Sequence, residues 1–299
     1  MIELDQQQLP HGVTLSCRAA GEKGRPVLMF LHGFPEAAFV WDGLLEHFAK
    51  PENGGFRCIA PNLRGFEKSS APVEVAAYRP KHLVADIAAL IALEGGRLEC
   101  LIAHDWGGAL AWNLAAGQPS LMKKLAIINS PHPGTFLREL QHSPAQQAAS
   151  AYMNFLIRPD AESLLAENDF ARMWPFFTKT GAAWLTHSVK AQYREVWQQG
   201  LTGPLNFYRA SPLRPPRPGA PHNDPAASAV TIPRELLQVE LRTLVIWAMN
   251  DIALPPALLD GLGDYVPHMK LKPVEGATHW IVHEQPELVA RYLKEFLAG

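Results

Sequence analysis

The sequence predicts an α/β fold: a mostly parallel sheet flanked by helices, with an inserted helical domain. Three features predict it. Apolar, strand-like runs alternate with helical runs on either side of a long interruption, the pattern of parallel strands joined by helices. One of these runs leads directly into a turn of small residues, Ala103-His104-Asp105-Trp106-Gly107-Gly108, and then into a helix. From about residue 136 to 233 no strand-like run occurs, and segments rich in Ala, Gln, Phe and Trp read as helices. The expected division is a core over 1–135, a helical cap over 136–230 and the rest of the core over 231–299, which a chain of 299 residues can accommodate.

In chain order, residues 1–20 read as an opening strand pair, with His11-Gly12 as its turn. Val27-Leu28-Met29-Phe30-Leu31 is continuously apolar, as expected of a strand buried on both faces. It runs into His32-Gly33-Phe34-Pro35-Glu36 and a helix over 41–48. Residues 56–60 form the next strand, followed by a loop over 62–69. A helix starts at Pro80, a residue suited to a first turn, and Leu83, Val84, Ile87, Leu90 and Ile91 recur at helical spacing. The strand 98–103 then enters the small-residue turn. The helix that follows, over 109–116, stops at Gly117 and Pro119, and a strand over 125–129 comes next. After the helical interruption, six prolines between 211 and 225 forbid regular structure and read as a stiff return to the core. Strands over 243–248 and 269–274 and a one-faced helix over 286–297 complete the pattern.

Composition narrows the function classes. A formal net charge of −2 gives no attraction for nucleic acid or an anionic membrane, and no run approaches a membrane span. Cys17, Cys58 and Cys100 are scattered through strand-like runs, which predicts buried thiols in a reducing compartment. The first residues lack a basic segment followed by an apolar one, so the expected location is cytoplasmic. No Cys/His cluster has metal spacing, and neither a metal nor an organic cofactor is expected.

Function is expected to gather at the turn around Asp105. Ala103 and Gly107 flank it at the spacing of the nucleophile elbow, where many hydrolases carry Ser. A serine attacking a saturated carbon would give an ether that water cleaves poorly. A carboxylate gives an ester, which activated water cleaves at its carbonyl. Asp at an elbow therefore points to substitution at an alkyl carbon followed by ester hydrolysis. The plainer alternative is that Asp105 caps the following helix.

Two later strand ends carry the complementary groups. Asp251 follows the strand 243–248, and His279 follows the strand 269–274. Nucleophile, acid and histidine thus appear in the chain order of the α/β-hydrolase fold. His279 would be the general base and Asp251 the group that orients it. Asp251 could instead cap the next turn, and His279 could be satisfied by a backbone carbonyl. The coincidence of order and strand-end placement favours the catalytic reading. His283 is the fallback base. Asn129 occupies the other strand end where a triad acid could stand, and it is not an acid. The backbone N–H groups of Phe34 and Trp106 are candidates for the oxyanion hole.

The sequence resembles the epoxide hydrolases of the α/β-hydrolase superfamily over nearly its whole length. The resemblance rests on His32-Gly33-Phe34-Pro35-Glu36, His104-Asp105-Trp106-Gly107-Gly108, Asn129-Ser130-Pro131-His132-Pro133 and the Asp251/His279 pair. Asn206-Phe207-Tyr208-Arg209 resembles the family's Asn-Trp-Tyr-Arg segment, and Tyr152 lies where the family has a second cap tyrosine. The resemblance implies that Tyr152 and Tyr208 assist ring opening, with Tyr193 in reserve. It implies an apolar epoxide as substrate, water as co-reactant and a vicinal diol as product. Asn62 and Glu67 depart from the family pattern in a loop expected to be structural. Trp106, Phe34, Phe39 and Phe155 are expected to line the substrate pocket, with Trp41, Trp174, Phe176 and Phe177 as further aromatic candidates. An exposed apolar cap face would permit a homodimer.

Two alternatives stand beside this. A haloalkane or haloacid dehalogenase would also use an Asp nucleophile. It would need N–H donors for halide, from Trp106 and one of Trp174, Trp184 or Trp197. A non-catalytic α/β-hydrolase-fold binding protein would not need the triad positions filled, as they are here.

Overall fold

The computed structural model describes residues 1–217 and 229–299. Its strands are β1 (Glu3–Gln8), β2 (Thr14–Ala20), β3 (Val27–Leu31), β4 (Arg57–Pro61), β5 (Leu98–His104), β6 (Met122–Ile128), β7 (Arg242–Ala248) and β8 (Met269–Val274). They form one sheet in the order β1-β2-β4-β3-β5-β6-β7-β8. The β1/β2 and β2/β4 pairs are antiparallel, and every other neighbouring pair is parallel. The strands therefore match the expected runs closely. β6 begins at Met122, earlier than the apolar run suggests, although Lys123 and Lys124 interrupt the pattern. Lys124 is accommodated because its ammonium donates to the Leu297 carbonyl at 2.7 Å.

Alternation along the strands sends side chains to two covered faces. Leu28, Phe30, Ile102, Ile128 and Ile246 face one way. They pack with Leu45 and Phe48 of α1 (Asp42–Ala49) and with Leu293 and Phe296 of the final helix, Pro286–Ala298. Met29, Leu31, Leu101, Ala103 and Ile127 face the other way, in one cluster with Ile87 and Ile91 of α2 (Pro80–Leu93) and Leu110 and Leu114 of α3 (Asp105–Gly117). The three cysteines are free and buried, and burial pushes the Cys58 thiol up to about 12, so it is inert at neutral pH.

Between β6 and β7 the described residues hold helices and no strand: α4 (Pro133–His142), α5 (Pro144–Ala149), α6 (Tyr152–Leu156), α7 (Ala161–Phe170), α8 (Trp174–Thr178), α9 (His187–Gln198) and α10 (Thr202–Ala210). The proline-rich return lies partly outside the described residues. α11 (Ile281–Glu284) and α12 (Pro286–Ala298) close the chain. No helix among the described residues is long and apolar enough to cross a membrane.

Candidate active site

β5 passes into α3 with no intervening residue, and Asp105 is the first residue of the helix. Its φ of +48° lies in the left-handed region, which costs a non-glycine residue conformational energy and is held only by its surroundings. The neighbouring glycines make the turn possible. A Cβ on Gly107 would stand 2.5 Å from the Leu31 carbonyl oxygen, and one on Gly33 would stand 2.3 Å from the Asp105 side chain. The Asp105 carboxylate does not cap α3, so the capping alternative is not what the geometry shows. Its Oδ1 accepts from the Phe34 N–H at 2.8 Å, across the gap between the β3 and β5 ends. No hydrogen bond joins the Trp106 N–H to that carboxylate in this structure.

Three strand ends converge here. His279 Nδ1 and Asp251 Oδ2 are 2.6 Å apart, and His279 Nε2 lies 3.7 Å from Asp105 Oδ2. Asp251 also does what the plainer reading gave it. Its Oδ1 accepts from the N–H groups of Ala253 and Leu254, both at 2.9 Å, leaving Oδ2 for the histidine. Burial disfavours a charged imidazole, but Asp251, then Asp105 and Glu36, outweigh it and raise His279 to about 9. Burial likewise opposes charge on Asp251, and the His279 imidazole more than offsets it, so that carboxyl lies below its ordinary value.

A cavity of about 540 Å³ opens onto these groups. Asp105, Asp251, His279, Tyr152, Tyr208, Phe34 and Phe155 all line it, together with Phe176 and Trp280. Tyr152 comes from α6 and Tyr208 from α10, with ring centroids 6.2 Å apart. Tyr208 also engages the indole of Trp106. Burial, reinforced by the Asp105 charge, raises both phenols, so they hold their protons at neutral pH.

Some expected residues stand elsewhere. Phe39 does not line this cavity. It sits in the short turn Ala38–Trp41, where its ring packs on Tyr193 with centroids 5.0 Å apart and borders a separate polar recess. Trp106 is not a lining residue either, because its ring packs edge-on against Phe207 and Tyr208. Trp41 and Phe177 are fully buried in the core. Trp174 points its N–H at the Asp169 carbonyl, 3.1 Å away.

The reserve residues have other work. Tyr193 donates to Glu36 Oε1 at 2.8 Å, and His283 Nε2 contacts the same oxygen at 2.7 Å. His104 Nδ1 lies 3.2 Å from Glu36 Oε2, and its Nε2 is 2.9 Å from the His279 carbonyl oxygen. A buried carboxylate thus ties α9, α11 and the end of β5 together behind the histidine. These imidazoles hold Glu36 far below the usual carboxylate range, although burial alone would raise it. Sequence reading missed this cluster. The signal was Glu36 itself, a charged residue two positions after Phe34 in an otherwise buried loop.

A family model for the alpha/beta hydrolase fold matches residues 26–286. The chain belongs to the α/β-hydrolase family. Within it, its relatives include the AB hydrolase superfamily protein YfhM of Bacillus subtilis (strain 168), 34% identical over 96% of this chain and 95% of that protein. Epoxide hydrolase 4 of Homo sapiens is 32% identical over 93% of this chain and 74% of that protein. Among solved structures, an epoxide hydrolase from metagenomes of hot environments superimposes with a TM-score of 0.86 at 35% identity, covering 100% of this chain and 99% of that one. The Bacillus megaterium epoxide hydrolase in complex with an inhibitor gives 0.86 at 28% identity, covering 99% and 100%. This α/β hydrolase is therefore a hydrolytic enzyme of the epoxide hydrolase type.

Proposed function

We propose that this α/β hydrolase converts an apolar epoxide into a vicinal diol in two steps. In the first, an Asp105 carboxylate oxygen attacks an epoxide carbon and the C–O bond of the ring breaks. Tyr152 and Tyr208 hydrogen-bond the departing oxygen and supply its proton. An alkoxide is more basic than a phenolate, so even these raised phenols can protonate it. In the second step His279, oriented by Asp251, takes a proton from water, which attacks the ester carbonyl. The resulting oxyanion meets the Phe34 N–H, with the Trp106 N–H as the second donor once the intermediate forms. Its collapse breaks the bond between the carbonyl carbon and the substrate oxygen. The departing alkoxide takes the proton held by His279, the diol leaves, and the Asp105 carboxyl gives its remaining proton to the imidazole. The helices within 136–230 act as a cap that brings the phenols over a core made of 1–135 and 231–299.

The observation that carries this reading is the convergence of both tyrosines with Asp105, Asp251 and His279 on one apolar cavity. Proton balance also closes. The Asp105 charge helps to hold the His279 proton, and esterification removes that charge. The imidazole then gives its proton, by way of water, to the phenolate left by ring opening, and becomes a neutral base at the stage that needs one.

The halide alternative lacks a second donor beside Trp106. The Trp197 N–H is bound to the Pro35 carbonyl at 2.8 Å, that of Trp174 to Asp169 and that of Trp280 to Phe176. Trp184 does not line the cavity. Purified protein offered styrene oxide, a bromoalkane and a haloacetate in parallel should release diol and no halide. Halide without diol would replace the epoxide reading with the dehalogenase one.

Replacing Tyr152 and Tyr208 individually by Phe should lower kcat/KM for styrene oxide by about tenfold or more each. Replacing both should lower it by about 10²- to 10⁴-fold, the range for losing general acid assistance. Stopped-flow ester formation is the measurement, because the loss belongs in the first step. Equal rates for the double variant and the parent would remove the phenols from the mechanism.

A further inference from the structure

We propose that Asn129 is a positioning residue for the second step, fixing Asp251 in the ionised, histidine-facing orientation. This rests on the two-step reading above. Asn129 directly follows the strand β6, which lies next to β7, and at φ +38° it is a second left-handed non-glycine residue beside the site. Its side chain explains the strain. The amide Nδ2 donates to Asp251 Oδ2 at 2.9 Å, the same oxygen that contacts His279 Nδ1. The amide Oδ1 accepts from the Ala248 N–H at 2.8 Å, at the end of the strand that carries Asp251. Asn129 is fully buried, so water cannot replace either bond. With Ala253 and Leu254 on Oδ1 and Asn129 and His279 on Oδ2, Asp251 has both oxygens engaged.

The following residue ties the same strand end to the nucleophile. Ser130 Oγ donates to the Asp105 carbonyl at 2.7 Å, and the Trp112 indole donates to the Ser130 carbonyl at 3.2 Å. One dipeptide therefore holds both the strained nucleophile and the acid. The two tethers differ in consequence. Loss of the Ser130 bond acts on the elbow and so on the first step. Loss of the Asn129 bond leaves Asp105 alone and acts through Asp251 on His279. The ionisable groups acting on this pair are Asp105, Glu36 and the Tyr152 phenol, and none of them bonds Asn129.

The test uses Asn129→Leu and Asn129→Asp in the full chain, with thermal melting to confirm folding. Enzyme in excess is mixed with styrene oxide, quenched and followed by intact mass, which separates ester formation from ester loss. For Asn129→Leu, ester loss should slow about tenfold or more while ester formation changes less than about threefold. Asn129→Asp has the same shape and a pH-dependent donor. Two carboxyls at hydrogen-bond distance cannot both ionise easily, so one keeps a proton and donates in place of the amide. Ester loss should then be near the parent rate on the acid side and fall as pH rises and that proton leaves. The parent should do the opposite and speed up as His279 becomes neutral. A merely structural role cannot reverse this slope.

If Asn129→Leu fails to fold, Asn129→Asp decides the matter alone. Parent-like ester loss with a parent-like pH slope would overturn the proposal, as would slowing of both steps in equal proportion. If neither the parent nor His279→Gln ever forms an ester, the two-step reading falls and the role of Asn129 falls with it. An ester in His279→Gln with parent-like behaviour of the Asn129 variants removes only the latter.

Discussion

Replacing Asp105 by Asn should lower kcat/KM for an epoxide by at least about 10⁴-fold, the scale seen when a nucleophile is removed from a catalytic set. The substitution keeps the shape of the side chain, and its carbonyl oxygen can still accept the Phe34 N–H that now reaches Oδ1 at 2.8 Å. What it removes is the anionic oxygen that would form the ester bond. An amide attacks saturated carbon poorly, and no other carboxylate that lines the cavity is free, since Asp251 is engaged through both oxygens. Stability should change little, within about 1 kcal/mol, because no packing is lost. Steady-state diol formation with melting of the same preparation checks both halves. Retained turnover in a folded variant, with mass spectrometry confirming Asn at 105, would rule out Asp105 as the nucleophile.

Replacing His279 by Gln should stop turnover after one event and leave protein heavier by one substrate mass. Asp105 remains able to attack, and Tyr152 and Tyr208 remain able to protonate the ring oxygen, so the ester forms. Its hydrolysis lacks a base, because His104 is engaged by Glu36 and the backbone carbonyl of residue 279, His283 contacts Glu36 at 2.7 Å, and neither lines the cavity. Intact mass after incubation with styrene oxide shows the adduct, and a peptide carrying the added mass should contain Asp105. A folded variant that binds substrate without any adduct would exclude the covalent route.

The same residue predicts a pH dependence of stability. The folded pKa of His279, about 9, lies above its ordinary value of 6.5. Its contribution is therefore full below about pH 6.5 and is lost as pH rises through about 9. The melting temperature of the parent should fall across that window, and His279→Gln should lack that part of the fall.

Much of this site is visible before folding. An apolar run such as Val27–Leu31 declares a strand buried on both faces, and the small residues around Asp105 declare a tight turn, because both depend on neighbours a few positions away. The strand-end placement of Asp251 and His279 follows from the same local punctuation. The aromatic residues are harder. Phe39, Phe155, Trp174 and Phe177 look alike in a sequence, yet only Phe155 lines the cavity. Which side of a short helix faces a cavity depends on how that helix is docked.

The Glu36 cluster and the Asn129 tether belong to the same class. The sequence contains Glu36, His104, Tyr193 and His283 but nothing that joins them, and the amide of Asn129 looked like the absence of an acid rather than the partner of one. The sheet order puts β6 beside β7, so residues 122 positions apart share a hydrogen bond. Residue types, the alternation of strands and helices, and the chemistry of an aspartate at an elbow were determined by the sequence itself, since each is set by local periodicity and side-chain reactivity. The tertiary structure decided the distances, the burial that keeps the phenols protonated, and the charges that raise His279. Those quantities arise only when strand ends distant in the chain are packed together out of water.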